Sequence, residues 1–262
     1  MSSLVVNRRT ALLFLGSGTG AILMSACGGN ASNTESSASP LASSSSASST
    51  SSSETPSSAS PSASPSRRNS FQRGFNVELN NADMEYTGEG YMYSTREKQG
   101  YGWPHPKRPQ EMSENSELGL YYSWAYASAG ISYAMKTGDD TYIKQSGMTE
   151  GDQKLFKSIA LLDETREGKY WEESGNFVYR LESDHPEKKG EEYSWPYQLQ
   201  MFHGDFYVRN GEVHEIPENT DGWGKIVYST GALKARYLDG AWQMEGFFEG
   251  IATNVVGKPF DK

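Results

Sequence analysis

His203-Gly204-Asp205 is the one local pairing in this 262-residue chain with the make-up of an acid/base site. Imidazole titrates near neutral pH, and a carboxylate beside it favours proton uptake. If the preceding strand runs straight from Trp195, His203 shares the face of Leu199 and Met201. The plainer reading is favoured: a turn or bulge at the strand end, with both side chains in water, because His and Asp fall this close often by chance. Catalytic residues therefore stay unassigned, with His203 and Asp205 as the only candidates. Other chemistries find less support. His105, His185, His203 and His214 are widely spaced, with neither a helical pair nor cysteine partners, so no metal is expected. Asp139-Asp140 with Glu150 and Asp152 lacks the alternating ligands of a calcium loop. Asp163-Glu164 and Glu172-Glu173 read as solvated surface. No Gly-rich phosphate loop follows a strand and no Gly-x-Ser-x-Gly elbow occurs, so no cofactor is expected either.

The chain has a single cysteine, Cys27, closing the run Met24-Ser25-Ala26-Cys27. An apolar residue, two small ones and then cysteine resemble a bacterial lipobox. Small side chains suit a peptidase cut between Ala26 and Cys27, and the thiol is the nucleophile that takes a diacylglycerol as a thioether. Upstream, Arg8 and Arg9 form a positive region and Ala11–Leu15 with Ile22–Met24 an apolar one, the grammar of an export signal. Gly16, Gly18 and Gly20 break that run, which is shorter than the ~20 residues of a membrane-spanning helix. Arg8-Arg9-Thr10 also fits a loose twin-arginine pattern, leaving two export routes open. Two acyl chains on one thiol give a stable anchor. The expected location is the outer face of the cell membrane, reached through Cys27.

Net charge is −9 and mean hydropathy −0.69. The acidic balance excludes nucleic acid and electrostatic docking on anionic lipid. With Cys27 acylated no disulfide is available, so the fold rests on its core alone. Residues 1–26 read as signal peptide. Residues 27–66 are the lipidated cysteine and a Ser/Pro linker too poor in apolar surface to order, spanning about 35 Å as a coil. Residues 67–110 form an irregular aromatic and Gly-rich segment, 111–250 a single α+β domain, and 251–262 a tail.

In the irregular segment, Phe71, Phe75 and Val77 suit a short strand. Tyr86, Tyr91, Tyr93, Tyr101 and Trp103 follow without periodicity. They read as packing cover, with a sugar- or protein-contact patch as the alternative. Ser113 is the expected N-cap of a long helix through Thr137. Its stripe is Leu120, Trp124, Ala127, Ile131 and Ala134, and Gly138 is its stop. The small residues Ala125 to Gly130 suit close approach to a sheet. Thr149, with Asp152 three residues on, begins a second helix through Arg166 with Leu155, Ile159 and Leu162 inward. Strands follow. Phe177, Tyr179 and Leu181 alternate inward, as do Trp195, Tyr197, Leu199 and Met201, with Pro196 marking an edge or bulge. Asn210-Gly211 and Asp239-Gly240 are hairpin turns, the second joining Leu233–Tyr237 to Trp242–Met244. Ile226–Tyr228 starts a separate strand. Helices first and then antiparallel strands predict α+β, a curved antiparallel sheet wrapped on the long helix.

The run Pro104–Met112, the start Glu117-Leu118-Gly119, the stretch Lys136-Thr137-Gly138-Asp139 and the late Leu238–Met244 resemble a group of actinobacterial lipoproteins, the domain of unknown function 6318 family. The resemblance covers about Pro104 to Glu249, with the lipobox and linker. It implies a nuclear-transport-factor-like cone, a helix cradled by a bent sheet, and adds no mechanism. The family usually carries a close cysteine pair after Thr-Gly-Asp, where this chain reads Ser146–Gln153 without one. The functional expectation is a binding module at the cell envelope, taking a small apolar ligand in the cone or an envelope protein. An enzyme using the cavity, with His203 and Asp205, and a passive surface lipoprotein are the alternatives. An exposed aromatic patch beside a filled core would favour a partner-binding surface.

Overall fold

The computed structural model describes residues 70–88, 90–218 and 224–252. The export signal, Ala26 and Cys27, the linker through Ser66 and residues 253–262 of the tail lie outside the described residues.

Residues 71–110 hold three two-residue strands, β1 (Asn76–Val77), β2 (Met84–Glu85) and β3 (His105–Pro106). The long helix α1 runs Glu117–Thr137. It starts three residues later than Ser113 predicts. Ser113 is taken up in a 3-10 turn after Pro109, and Ser116 Oγ accepts the Gly119 amide at 3.1 Å instead. Gly138 ends the helix at φ +77, and a Cβ there would lie 2.3 Å from the Leu162 carbonyl oxygen, so only glycine fits. The predicted stripe is buried, but so are Tyr121, Tyr122, Ala125, Tyr126 and Ser128. The first turns are covered on every side because residues 71–110 pack on them as well as the sheet. Phe71 stacks on Tyr121 at 4.7 Å, Asn80 bonds the Tyr122 hydroxyl and His105 packs on Tyr133.

A short α2 (Thr141–Lys144) follows, and Gly130 admits it: a Cβ on Gly130 would touch the Tyr142 Cβ at 3.1 Å. At Gly130 the close approach is to a helix. The second predicted helix is two, α3 (Glu150–Ile159) and α4 (Leu162–Arg166), parted by extended backbone at Ala160. Asp152 does not close a capping box. Its Oδ2 accepts the amides of Gly246 and Phe247 at 2.7 and 3.1 Å, fastening α3 to the far end of the chain.

The strands are β4 (Tyr170–Glu172), β5 (Asn176–Leu181), β6 (Glu187–Lys189), β7 (Glu192–Phe202), β8 (Phe206–Arg209), β9 (Glu212–Glu215), β10 (Ile226–Leu238) and β11 (Ala241–Glu245). The main sheet has the order β1-β5-β7-β10-β11, with β6 also on β7, and is antiparallel throughout. A smaller sheet is ordered β4-β8-β9. Both hairpin turns form as predicted, with Asn210 and Asp239 at φ 53 and 52 before their glycines. Pro196 lies inside the central strand β7. Its missing N–H faces the point where β5 has ended and β6 not begun, and its carbonyl there accepts the Glu182 amide at 3.0 Å. Ile226–Tyr228 and Leu233–Tyr237 are one 13-residue strand. The last helix, α5 (Glu249–Ala252), is a single turn. The fold is α+β, with its long helix against an antiparallel sheet.

The space between α1 and the sheet is filled. Trp124 meets Tyr179, Trp195 and Tyr197 with ring centroids 5.6, 6.1 and 5.7 Å away. The turn Gly246–Phe248 closes one end, with Phe247 and Phe248 fully buried and Phe248 stacked on Phe156. The hydroxyls of Tyr179 and Tyr197 donate to the Phe247 carbonyl at 3.1 and 3.0 Å. Burial pushes both phenols well above their ordinary range, so they remain donors.

Candidate functional site

His203 and Asp205 do not meet. Strand β7 stops at Phe202, and the chain turns at Gly204 (φ +85) towards β8. Asp205 points to water with its side chain 60% exposed and pairs with Lys225 at 3.0 Å. The carboxylates of Glu218 and Asp205 raise the Lys225 pKa. The His203 side chain is only 12% exposed and its Nδ1 lies 3.0 Å from Glu172 Oε2. The turn is as the sequence predicts, but His203 is not solvated. Nor is Glu172 a surface residue. It sits at 5% side-chain exposure between His203 and the Tyr170 hydroxyl, which donates to its Oε1. Burial and the Glu172 carboxylate together raise the Tyr170 phenol. Tyr170 and Glu172 share one face of β4, the alternation that sequence reading missed because the strand is three residues long. The result is a phenol–carboxylate–imidazole chain that ties the small sheet to the end of β7.

The other three histidines serve three other places. His105 Nδ1 is 2.7 Å from the Tyr142 hydroxyl, His185 pairs with Glu117 at 2.8 Å, and His214 stacks on Tyr207. Of the acidic residues, Asp140 bridges Lys144 and Lys157, and Glu150 pairs with Lys154.

The largest departure from expectation is the aromatic segment. Tyr86, Tyr91, Tyr93 and Tyr101 are 54, 41, 65 and 45% exposed, and Met92 among them is 53% exposed. Only Trp103 packs as cover, at 7%. Tyr86, Tyr91 and Tyr93 form one cluster with Trp103, and Tyr101 lies beside Met92 across their main-chain pair. Tyr91 and Tyr93 meet edge to face at 5.2 Å, each lies 5.7 Å from Trp103, and Tyr86 is 6.5 Å from Tyr91. The Tyr91 and Tyr93 hydroxyls are 3.1 Å apart, and that bond raises the Tyr91 pKa.

Backbone ties hold these rings outward. Met92 and Tyr101 exchange both amide bonds, at 3.0 and 3.1 Å, and Thr95 N donates to Lys98 O at 2.8 Å. Gly102, at φ +68, lets the two arms close: a Cβ there would lie 2.3 Å from the Gly90 carbonyl oxygen. Gln99 Nε2 donates to the carbonyls of Thr165 and Lys136, at 2.9 and 3.3 Å. Trp171 Nε1 donates to Thr95 O at 2.8 Å, and Arg96 lies over the Phe206 ring while pairing with Glu215. The segment is therefore bolted to α1, α4 and both outer strands of the small sheet.

Beneath it lies Lys136, in the last turn of α1. Its Nζ sits 4.5 Å from the Trp103 ring centroid and donates to Asn176 Oδ1 at 2.5 Å. Among the described residues no carboxylate is within ion-pair reach of it, and burial pushes its pKa down to about 8. The Trp103 indole N–H is buried without an acceptor among the described residues. Sequence reading passed over Lys136 because a lysine in a helix's last turn is the ordinary complement to the helix dipole.

Two surface depressions complete the picture. One of about 270 Å³ lies between Asn80, Asn81 and Tyr122, and one of about 450 Å³ between Asp140, Lys157 and Arg166; polar groups line both. Among the described residues no helix is long and apolar enough to cross a membrane.

An α+β domain with a filled interior and an outward aromatic cluster is the class of protein that fold and site define. The chain belongs to a family of unknown function (DUF6318), whose profile matches residues 89–247. The match begins before Pro104 and so takes in most of the aromatic segment. No curated protein and no solved structure matches the chain.

Proposed function

We propose that this is a lipid-anchored, extracytoplasmic binding module whose contact surface is the platform of Tyr86, Tyr91, Tyr93 and Tyr101. The anchoring part rests on the lipobox-like run ending at Cys27. The observation that carries the binding part is the exposure of four tyrosine rings on a segment fixed by main-chain bonds. Exposed aromatic clusters are costly in solubility and mark contact surfaces. Tyrosine presents large area with few rotatable bonds, so little ordering cost falls on binding. A ligand between helix and sheet would have to displace Trp124, Phe247 and Phe248, which directs the binding role to the outside.

The test is photo-crosslinking in the native host. A photoreactive phenylalanine analogue replaces Met92 in the full chain, and another replaces the exposed Lys189 as a control site. Adducts from position 92 and none from 189 are expected. Equal labelling at both, or none at 92, would sink the reading.

A further inference from the structure

The chemistry of the platform points to its partner, and the inference rests on the binding reading above. We propose that the tyrosine platform binds a neutral glycan, with sugar rings lying on the exposed phenol faces. The outward groups are four tyrosines and a single aliphatic side chain, Met92. Each tyrosine joins an apolar ring to a polar tip. A pyranose has the matching division, an apolar C–H face and a rim of hydroxyls. The Tyr91–Tyr93 hydroxyl pair keeps the Tyr91 phenol protonated, so it stays available to such a rim as donor and acceptor.

Charge makes the same selection. The chain as a whole carries −9, yet the platform's own charges cancel. Within residues 86–103 Arg96 and Lys98 stand against Glu89 and Glu97, Arg96 being held by Glu215 and Lys98 lying over the Tyr101 ring at 4.7 Å. Complementary potential is how charged partners are chosen, and residues 86–103 carry no net charge of their own. Protein hot spots draw on arginine as well as aromatic anchors, and Arg96 is already engaged. Saccharide contacts are individually weak, so a preformed platform matters more than its area. The ties of Gln99, Trp171 and the Met92–Tyr101 pair provide that preformation.

Full-length protein in detergent would be run in native gels containing a soluble α-mannan, a galactan or, as an acidic comparator, polygalacturonate. Binding of an N-acetylglucosamine hexamer would be followed by tyrosine and tryptophan fluorescence. At least one neutral saccharide is expected to bind, with affinity unchanged between 50 and 500 mM salt on the order expected for an uncharged contact. Tyr91→Ala and Tyr93→Ala should each weaken it about tenfold or more, and Tyr91→Phe less. Because both rings are exposed, unchanged melting curves would show that the variants fold. Retardation by polygalacturonate alone, or by none of the saccharides, overturns the glycan inference. If position 92 then crosslinks to a protein, the binding reading survives without it. If it crosslinks to nothing, both fall.

Discussion

Replacing Lys136 with methionine isolates the cost of the buried amine beneath Trp103. Its pKa falls from the ordinary 10.5 to about 8. At ~1.4 kcal/mol per pH unit, keeping it charged at neutral pH costs about 3 kcal/mol. Methionine keeps the aliphatic stem packed and offers sulfur to the indole. At pH 7 Lys136→Met should therefore be more stable by up to about 3 kcal/mol. The pH dependence is the sharper test. The folded pKa is depressed, so between pH ~8 and ~10.5 the unfolded chain binds the extra proton, and wild-type stability rises across that window. The variant lacks that rise. Urea midpoints of both full-length proteins at pH 7, 8, 9 and 10 give the difference, in which tyrosine ionisation cancels. The advantage of the variant should shrink steadily above pH 8 and be mostly gone by about pH 10. Parallel curves over the whole range would refute the argument that the amine is buried and unpaired.

Three further outcomes are expected. Asp152→Ala leaves the Gly246 and Phe247 amides without their acceptor and should cost about 2–6 kcal/mol in urea unfolding, at ~1–3 kcal/mol per buried orphan. Asp152→Asn keeps an acceptor oxygen and should stay within about 1 kcal/mol. Burial raises the Asp152 pKa, so wild type should gain on the Asn variant as pH falls through the carboxylate range. Gly102→Ala touches no ring but drives a Cβ into the Gly90 carbonyl; Trp103 emission should shift red and crosslinking from position 92 should fall, while the Trp124 core melts as before. Cys27→Ala should move the protein from the membrane pellet to the soluble or secreted fraction; retention in the pellet would show another anchor.

How much of this was legible depends on where each signal is local. The α1 stripe, the Gly138 stop and the two hairpin turns are set by neighbouring residues, and the structure shows all of them. The boundaries that moved were decided elsewhere. Ser113 and Ser116 both precede acidic residues, and Pro109 chose between them by starting a 3-10 turn. Ala160 breaks the second helix without a glycine or proline, and the predicted stripe breaks with it: Leu162 is buried, but Ile159 is 38% exposed and Phe156 is the buried residue of α3. Ile226–Tyr228 and Leu233–Tyr237 read as separate strands, yet one strand passes through Gly231 between them. A Cβ there would lie 2.6 Å from the Tyr197 hydroxyl, so the glycine makes room for a phenol from the next strand. His203 beside Asp205 in sequence suggested a pair, whereas the pairing follows the β4 register and brings Glu172 from 31 residues away.

The exposed tyrosines are a different case, because their meaning lies in a coincidence that no window of sequence contains. An unpartnered polar group does not by itself mark a site here. The Trp124 indole and the Ser123 hydroxyl are also buried without acceptors among the described residues, and both lie inside the packed core. Around Trp103 three departures from ordinary packing meet: an amine with no counter-ion and an indole N–H with no acceptor among the described residues, and four large rings left in water. Each opposes stability or solubility, and the segment is nonetheless held by ties to α1, α4 and the small sheet. A loop under no demand would relax by turning its rings inward over Lys136's neighbours. Proteins keep such local conflicts where function requires them, which is the argument for proposing the contact surface here, with the helix and sheet as its rigid support.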